Sequence, residues 1–202
     1  ASEMGQHAHT GQAMLLAEEL EADWKAINVL TAPFHPEFIN RQADPRGIQA
    51  TGGSSSISFF WEKIRLVGAS SREMLKTAAS RKWGVMLSEC RAEDGKVFHL
   101  KSDMVASYGE LVSTAAKIRP PDNPSLKSRD QFKLIGRSIP KLYTTAKTNG
   151  SAKFGIDVRI HNMKFATVKQ SPVFGGDIAD YDMNAALAVK GVGAANLVGG
   201  IA

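Results

Sequence analysis

The chain has 202 residues, of which 43% are hydrophobic and 22% charged, a composition typical of a protein with a packed core rather than a disordered one. Its net charge of +5 is modest and the basic residues are scattered, which argues against a nucleic-acid-binding face. No apolar run approaches the roughly 18 residues needed to span a bilayer. The single cysteine, Cys90, excludes an internal disulfide, a structural zinc site and an iron–sulfur site, so we expect a half-buried structural thiol.

Hydrophobic periodicity predicts the elements of the first part of the chain. A helix is expected from about Gly11 to Trp24, with Thr10 as its N-cap, followed by a strand at 26–32. Residues 33–56 lack any periodicity and predict a long irregular segment, which in a compact domain is usually functional or disordered. A second helix is expected over 56–83.

Two local signals follow. Asp94-Gly95 predicts the turn of a hairpin over residues 86–100, because both residues tolerate the positive φ angles of a two-residue turn. Ser107 and Glu110 have the spacing of a capping box, which predicts a helix over 108–118.

A cluster of prolines marks the clearest boundary in the sequence. Pro120, Pro121 and Pro124 lie within one short segment, and we therefore expect two domains, residues 1–122 and 123–202, in an α+β fold. In the second part, the pattern predicts a strand at 132–135, helical turns at 141–148, strands at 154–160 and 165–170, a loop at 172–176, a helix at 182–189 and a last strand near 195–198.

The segment before the first helix is one candidate binding site. Gly5 lets the backbone approach a ligand closely, the free N–H groups of the helix start favour an anion, and Gln6 offers a donor and an acceptor to a heterocycle. An ordinary capped helix start explains the same residues. His7 and His9 suggest a metal, but no third ligand stands at a familiar spacing, so we expect a solvent-exposed pair and no metal site.

The segment Thr51-Gly52-Gly53-Ser54-Ser55-Ser56 is the second candidate. Two glycines free the backbone, the hydroxyls can donate, and a helix is expected to begin at once, an arrangement that holds phosphate or pyrophosphate oxygens. A flexible linker is the alternative, although the segment runs directly into the apolar residues 57–61. The Gly-Lys-Ser/Thr ending of a Walker loop is absent.

The residue patterns contain no recognisable catalytic set. The serines of 54–56 lack a Gly-x-Ser-x-Gly elbow, and no carboxylate pair stands out from the surface charges. The patterns alone therefore indicate a domain that binds a phosphate-bearing ligand, followed by a second small α+β domain.

A series of short motifs runs through nearly the whole chain. In the first part these are Glu3-Met4-Gly5-Gln6 with Thr10, Ala17–Leu20 with Asp23-Trp24, Thr51–Ser54, Trp61, Arg65, Gly68-Ala69, Met74-Leu75, Trp83–Val85, Cys90 and Tyr108-Gly109 with Leu111. In the second part they are Phe132–Gly136, Lys147, Asn149-Gly150, Ala152, Phe154–Val158, Met163, Ala166 and Pro172–Gly176. In order and spacing they resemble the molybdopterin-binding large (beta) subunits of isoquinoline 1-oxidoreductase-type molybdenum hydroxylases, of the xanthine dehydrogenase and aldehyde oxidase superfamily.

The resemblance implies a molybdopterin cofactor, in bacteria commonly the cytosine dinucleotide. It implies an oxidoreductase that hydroxylates an aromatic N-heterocycle or oxidises an aldehyde with oxygen from water, and that passes electrons to a small 2Fe–2S subunit. Gly5 and Gln6 would contact the pterin side, and Thr51 to Ser56 would hold pterin and phosphate groups. The fold would be the first part of a molybdopterin-binding domain over 1–122, followed by an α/β hammerhead-like domain over 123–202.

Some positions depart from the family's pattern. His7 replaces a glycine, and His161-Asn162 replace the usual Pro-Gly. The family's catalytic glutamate is expected beyond Ala202, so no catalytic residue is assigned within the chain. We expect an inactive fragment with no bound cofactor that needs the remainder of the subunit, in the periplasm or the cytoplasm, with the periplasm slightly favoured. The alternative is a non-catalytic domain that binds a phosphate-bearing ligand or a partner protein through Gly52 to Ser56.

Overall fold

The computed structural model describes residues 6–42 and 44–197, and its contacts divide the chain into two compact units, 1–152 and 153–202. The described residues combine helices with one three-stranded sheet, in agreement with the α+β prediction. The prolines of 120–124 lie within the first unit. The assignment of 1–122 and 123–202 to two domains stays a prediction.

Two helices form the centre of the first unit, α1 (Ala8–Leu20) and α2 (Trp61–Trp83). Thr10 is not the N-cap that we expected, because α1 begins before it. Its side chain is buried inside the helix, and its hydroxyl accepts the backbone N–H of Leu142 at 3.0 Å. The helix also ends earlier than predicted, with Glu21 in the left-handed conformation (φ 54°).

The two helices contact each other closely at Gly68 of α2. A Cβ atom built on Gly68 would lie 2.8 Å from the carbonyl oxygen of Leu16 and 2.9 Å from the Cβ of Glu19. Atoms cannot approach so closely without displacement, so only glycine allows this crossing of α1 and α2.

An antiparallel sheet packs on α2 and has the order β1 (Cys90–Glu93), β2 (Lys96–His99), β3 (Val105–Ser107). The predicted hairpin is confirmed: Asp94 and Gly95 both have positive φ, 45° and 74°, as a two-residue turn requires. The capping box of α3 (Tyr108–Ala115) is confirmed too. The core of this region consists of Leu75, Ala78, Ala79, Cys90, Val97, Ala106, Leu111 and Ala115.

The rest of the described chain has little regular structure. Helical turns form at α4 (Thr144–Thr148) and, in the second unit, a helix forms at α5 (Met183–Ala188), both as predicted. Short 3-10 turns occur at Trp24–Ala26, Pro36–Phe38, Leu87–Glu89, Arg129–Gln131 and Gly155–Asp157. None of the described helices has the length and apolarity that a membrane span requires.

Several strand predictions are wrong. Residues 26–32, 132–135, 154–160 and 165–170 form loops and turns, and so do 195–197; the remainder of the predicted last strand lies outside the described residues. These segments have strand-like sequences but no neighbouring strand in the described chain with which to pair. Backbone N–H and C=O groups need such a partner before an extended segment becomes part of a sheet.

Candidate cofactor-binding site

The loop Thr51–Ser56 has a buried base and an open tip. Ser55 and Ser56 are 1% and 8% exposed, whereas Gly52, Gly53 and Ser54 are exposed to solvent. The Ser55 hydroxyl donates to the Gly52 carbonyl at 2.9 Å and accepts from the side-chain amide of Asn40 at 2.8 Å. The hydroxyl of Ser55 therefore closes the loop on itself, and the residues that face solvent are the three at the tip.

Asn40, which lies earlier in the irregular segment 33–56, fixes this loop through a hydrogen bond to Ser55. It is buried, and its Oδ1 accepts the backbone N–H of Gln42 at 3.0 Å while its Nδ2 reaches Ser55. Sequence reasoning assigned no role to Asn40. An asparagine in a long segment without periodicity gives only a weak signal of this kind, since its partner lies 15 positions away.

The backbone at the tip turns through two successive left-handed residues. Gly53 has φ 60° and Ser54 φ 52°. No atom outside the neighbouring residues lies within 4 Å of a Cβ built on Gly52 or Gly53, so the α-carbons of both glycines border open space. Turns of this kind can direct successive N–H groups towards an anion. A non-glycine residue with positive φ costs about 1–2 kcal/mol, so Ser54 holds a strained conformation at the exposed tip.

The end of the loop is seated on the first turns of α1. The side chain of Gln12 donates to the carbonyl oxygen of Ser56 at 2.9 Å. A Cβ on Gly11 would lie 2.8 Å from Cδ1 of Ile57, which means that the Ile57 side chain packs directly on the backbone of α1 at Gly11. The second candidate segment therefore packs against the helix that follows the first. Gln6 is exposed just before that helix, and Gly5 lies outside the described residues.

The expectation that a helix begins directly at the loop is wrong. Residues 56–60 form consecutive turns, and the Phe59 N–H donates to the Ser55 carbonyl at 3.0 Å. The helix α2 begins only at Trp61. An anion at the tip would therefore be bound by loop peptide groups and hydroxyls, not by the N-terminus of α2.

His7 and His9 stand at the start of α1. His7 precedes the helix with φ 62°, and both side chains are half-buried rather than solvent-exposed as we expected. They do not share the side of an extended chain, because His9 is already helical. Across residues 6–42 and 44–197, no three His, Cys, Asp or Glu side chains come together as metal ligands would.

Two adjacent glutamates of α1, which sequence reasoning missed, make extensive polar contacts within the described part of the first unit. The carboxylate of Glu18 accepts the N–H groups of Lys133, Leu134 and Ile135, at 3.0, 2.7 and 3.0 Å, and the ammonium of Lys127 at 2.7 Å. Burial alone would raise the pKa of Glu18, but the hydrogen bonds outweigh it and hold the pKa below its ordinary value. Glu18 is therefore a buried, ionised anchor for the segment 133–135.

Glu19 binds α2 and the chain at Lys127, just before the segment that Glu18 binds. It pairs with Arg65 of α2 at 2.6 Å and accepts the backbone N–H of Lys127 at 3.1 Å. The Arg65 guanidinium also lies over the rings of Trp61 and Phe132, 5.4 and 5.1 Å from their centroids. We call Glu18, Glu19 and their partners on α2 and on residues 125–135 the acidic latch. The acidic latch holds residues 125–135 on α1 and α2. Since the loop 51–56 also packs on α1, the latch stabilises the helix that supports the loop.

A groove of about 800 Å³ lies elsewhere in the first unit, between α2, β1 and residues 118–131. None of the residues 51–56 lines it. Cys90 does, but its thiol is buried and burial raises its pKa, as expected for an unreactive structural cysteine. The groove and the loop are thus separate features.

Comparison with known proteins places these features in a family. The sequence pattern of the molybdopterin cofactor-binding domain matches residues 1–164, which include both candidate segments and the acidic latch. The chain is 30% identical to the beta subunit of isoquinoline 1-oxidoreductase from Brevundimonas diminuta, over 95% of this chain and 29% of that protein. It is 30% identical to a membrane-bound aldehyde dehydrogenase, named as pyrroloquinoline-quinone type, of Gluconacetobacter polyoxogenes, over 94% of this chain and 24% of that protein.

A third relative is a nicotinate dehydrogenase subunit from Pseudomonas putida, 27% identical over 99% of this chain and 16% of that protein. The chain therefore spans less than a third of the length of each of these relatives, while nearly all of its own length is matched. The match over residues 1–164 shows that the chain belongs to the molybdopterin cofactor-binding domain family.

Proposed function

We propose that the chain is the N-terminal, cofactor-holding part of the large subunit of a molybdenum-containing oxidoreductase that hydroxylates aromatic N-heterocycles or oxidises aldehydes. The names of the relatives support this reaction class, since two denote heterocycle oxidation and one aldehyde oxidation. In this proposal the oxygen comes from water, electrons leave through a small iron–sulfur subunit, and the catalytic groups belong to the remainder of the large subunit.

The observation that carries the proposal is the open tip of the loop on its fixed base. Gly52 and Gly53 are exposed, have no side chain of their own and border open space at their α-carbons, which favours close approach of a phosphate group to the backbone there. Ser54 is exposed beside them and can add a hydroxyl donor. These residues fit the phosphate part of molybdopterin, here proposed as its cytosine dinucleotide form.

The remaining residues of the site would position this tip. Gln12 holds Ser56 against α1, and Asn40 holds Ser55 within the segment 33–56. Because the base of the loop is fixed in this way, less ordering of the tip is needed when the ligand binds. Gln6 and Gly5, with Thr51, would face the pterin, whose edge has both donors and acceptors. When bound, the cofactor supplies the molybdenum at which the substrate is oxidised.

Residues 123–202 are proposed as an α/β hammerhead-like domain, and residues 1–122 as the first part of the cofactor-binding domain. The strand-like sequences after residue 150 support this assignment, because they provide elements for a sheet. We propose that this second domain takes its final form in the full-length subunit.

Substitution of Gly53 by valine in the full-length subunit tests the role of the loop. Valine would introduce a branched side chain at the tip and is strongly disfavoured at φ 60°, so we expect a several-fold loss of bound molybdenum. Gly84→Val is the matched control, since Gly84 has φ 68° with equally open space around it but caps the far end of α2. Equal losses in both variants would contradict the assignment of the loop.

A further inference from the structure

We propose that Asn149 is a site of spontaneous covalent modification, at which the side-chain amide is lost as ammonia and replaced by a carboxylate through a cyclic imide formed with Gly150. The reaction requires only the chain and water. The proposal depends on the sequence, exposure and hydrogen bonds of residues 146–152, and it does not rest on the function proposed above.

Asn149 is the one asparagine in the sequence that precedes a glycine. In such a pair the backbone nitrogen of the glycine can attack the side-chain carbonyl carbon of the asparagine, because no Cβ hinders the approach and the glycine backbone rotates freely. Asn28 and Asn162 precede valine and methionine, whose side chains hinder the attack, and Asn123 precedes a proline, which has no N–H. The sequence therefore singles out Asn149.

The structure leaves both reacting groups accessible. Asn149 and Gly150 are exposed in the turn that follows α4. Outside the neighbouring residues, no atom lies within 4 Å of a Cβ built on Gly150, so its α-carbon borders open space. Within the described residues, no group accepts a hydrogen bond from the Gly150 N–H. The attacking nitrogen is therefore open to base from the solvent.

The turn has to rearrange before the reaction. Oδ1 of Asn149 accepts the Ser151 N–H at 3.0 Å, and the Ala146 carbonyl accepts the Ala152 N–H at 2.9 Å. With ψ of Asn149 at 4°, the Gly150 nitrogen does not face the side-chain carbonyl carbon, and the peptide group must rotate about ψ to reach it. Exposed turns at the end of a short helix open at low free-energy cost, so this rotation is available to the folded chain.

The reaction has two balanced steps and involves no oxidation. A base in solution removes the Gly150 amide proton, the nitrogen bonds to Cγ of Asn149, and the bond from Cγ to Nδ2 breaks, so that Nδ2 leaves as ammonia with a proton from the solvent. Water then opens the five-membered imide. Opening at Cγ gives aspartate, and opening at the backbone carbonyl carbon gives isoaspartate, in which the main chain runs through the side-chain carbons.

Both products alter the turn that closes the first unit. Isoaspartate lengthens the main chain by one carbon between Thr148 and Gly150, so we expect the hydrogen bond from Ala152 to Ala146 to be lost. Either product also places a negative charge at the C-terminal end of α4, where the helix carbonyl groups already point and where such a charge is unfavourable.

Peptide mapping by mass spectrometry tests the proposal on the full-length subunit, aged in solution at mildly alkaline pH. We expect the peptide that contains Asn149 to gain about one dalton at least about tenfold faster than the peptides that contain Asn28 or Asn162, with isoaspartate among the products. Equal rates at the three asparagines, or no conversion at Asn149, would overturn the site. A product that is aspartate alone would overturn the cyclic imide.

A pair of glycine variants separates the chemistry from the exposure of the turn. Gly150→Ala leaves Asn149 in place and adds a Cβ beside the attacking nitrogen, so we expect conversion at Asn149 to slow by about tenfold or more. The matched control is Gly136→Ala, since Gly136 also has positive φ (82°, against 78° at Gly150) and open space around it but does not follow an asparagine. Conversion at Asn149 should keep its wild-type rate in this control. Equal rates in the two variants would contradict an attack by Gly150.

Discussion

The two units of the chain differ in how they use apolar residues. The first unit buries a continuous set of side chains between α2, the sheet and α3, and fixes the outlying segment 125–135 through the acidic latch. The second unit contains many large apolar residues, yet none of its described residues is buried. Apolar content and a strand-like pattern are therefore not sufficient by themselves to create a core in the described residues of the second unit.

Removal of Glu19 should have the largest effect on the first unit. Glu19→Ala would leave Arg65 and the Lys127 N–H without their buried acceptor, and we expect a loss of about 3–5 kcal/mol in the free energy of unfolding. Urea denaturation measures this loss. The control is Glu62→Ala, an exposed position on α2 that should change stability by no more than about 0.5 kcal/mol. A mild effect at Glu19 would contradict the structural importance of the latch.

Glu18 should determine part of the pH dependence of stability. Its pKa is held below the ordinary 4.5, so the ionised form stabilises the fold above that pH, and this stability is lost as the pH falls through the folded-state pKa. Glu18→Gln should lower stability at neutral pH by about 1.5–3 kcal/mol and flatten the decline below pH 4.5. Denaturation series at several pH values compare it with Glu62→Gln. An unchanged slope in Glu18→Gln would show that the latch does not depend on ionisation.

Gly68→Val tests the close crossing of α1 and α2. The added side chain would force the two helices apart, and we expect a loss of about 1–3 kcal/mol, measured as a shift in the thermal midpoint. The control is Val67→Ala, at an exposed neighbouring position of the same helix. If the valine at position 68 were tolerated as well as this control, the helices would not be in contact there.

Ile156→Ser in the 202-residue chain should have the smallest effect. Ile156 is 84% exposed, so its removal should change the free energy of unfolding of the first unit by less than about 0.5 kcal/mol. A large destabilisation measured by the same urea titration would mean that the second unit has a core, and the contrast between the units would be lost.

The features predicted correctly from sequence depend on residues that are close together in the chain. The Asp94-Gly95 turn requires only two positive φ angles, and the capping box of α3 joins Ser107 to Glu110, three positions further along the chain. The wrong strands depend on distant partners, which alternation cannot reveal. Glu18 and Glu19 were missed for the same reason, since their partners on residues 127–135 lie more than 100 positions away.

The candidate site was predicted only in part. The Gly/Ser composition located the loop correctly. The largely apolar residues 57–61 predicted the start of α2, but 57–60 form turns and the helix begins only at Trp61. Nothing in the local sequence distinguishes Ser55, whose hydroxyl holds the loop, from the exposed Ser54. That distinction depends on Asn40, which only the folded chain brings to Ser55.

If this chain belongs to a subunit that holds a molybdenum cofactor, the full-length protein purified from its own host should contain molybdenum. Elemental mass spectrometry measures that content. We expect about one molybdenum per subunit, together with a co-purifying iron–sulfur polypeptide. A full-length protein that is folded, grown with ample molybdate and free of molybdenum would rule out the proposed cofactor and favour a non-catalytic phosphate-binding domain.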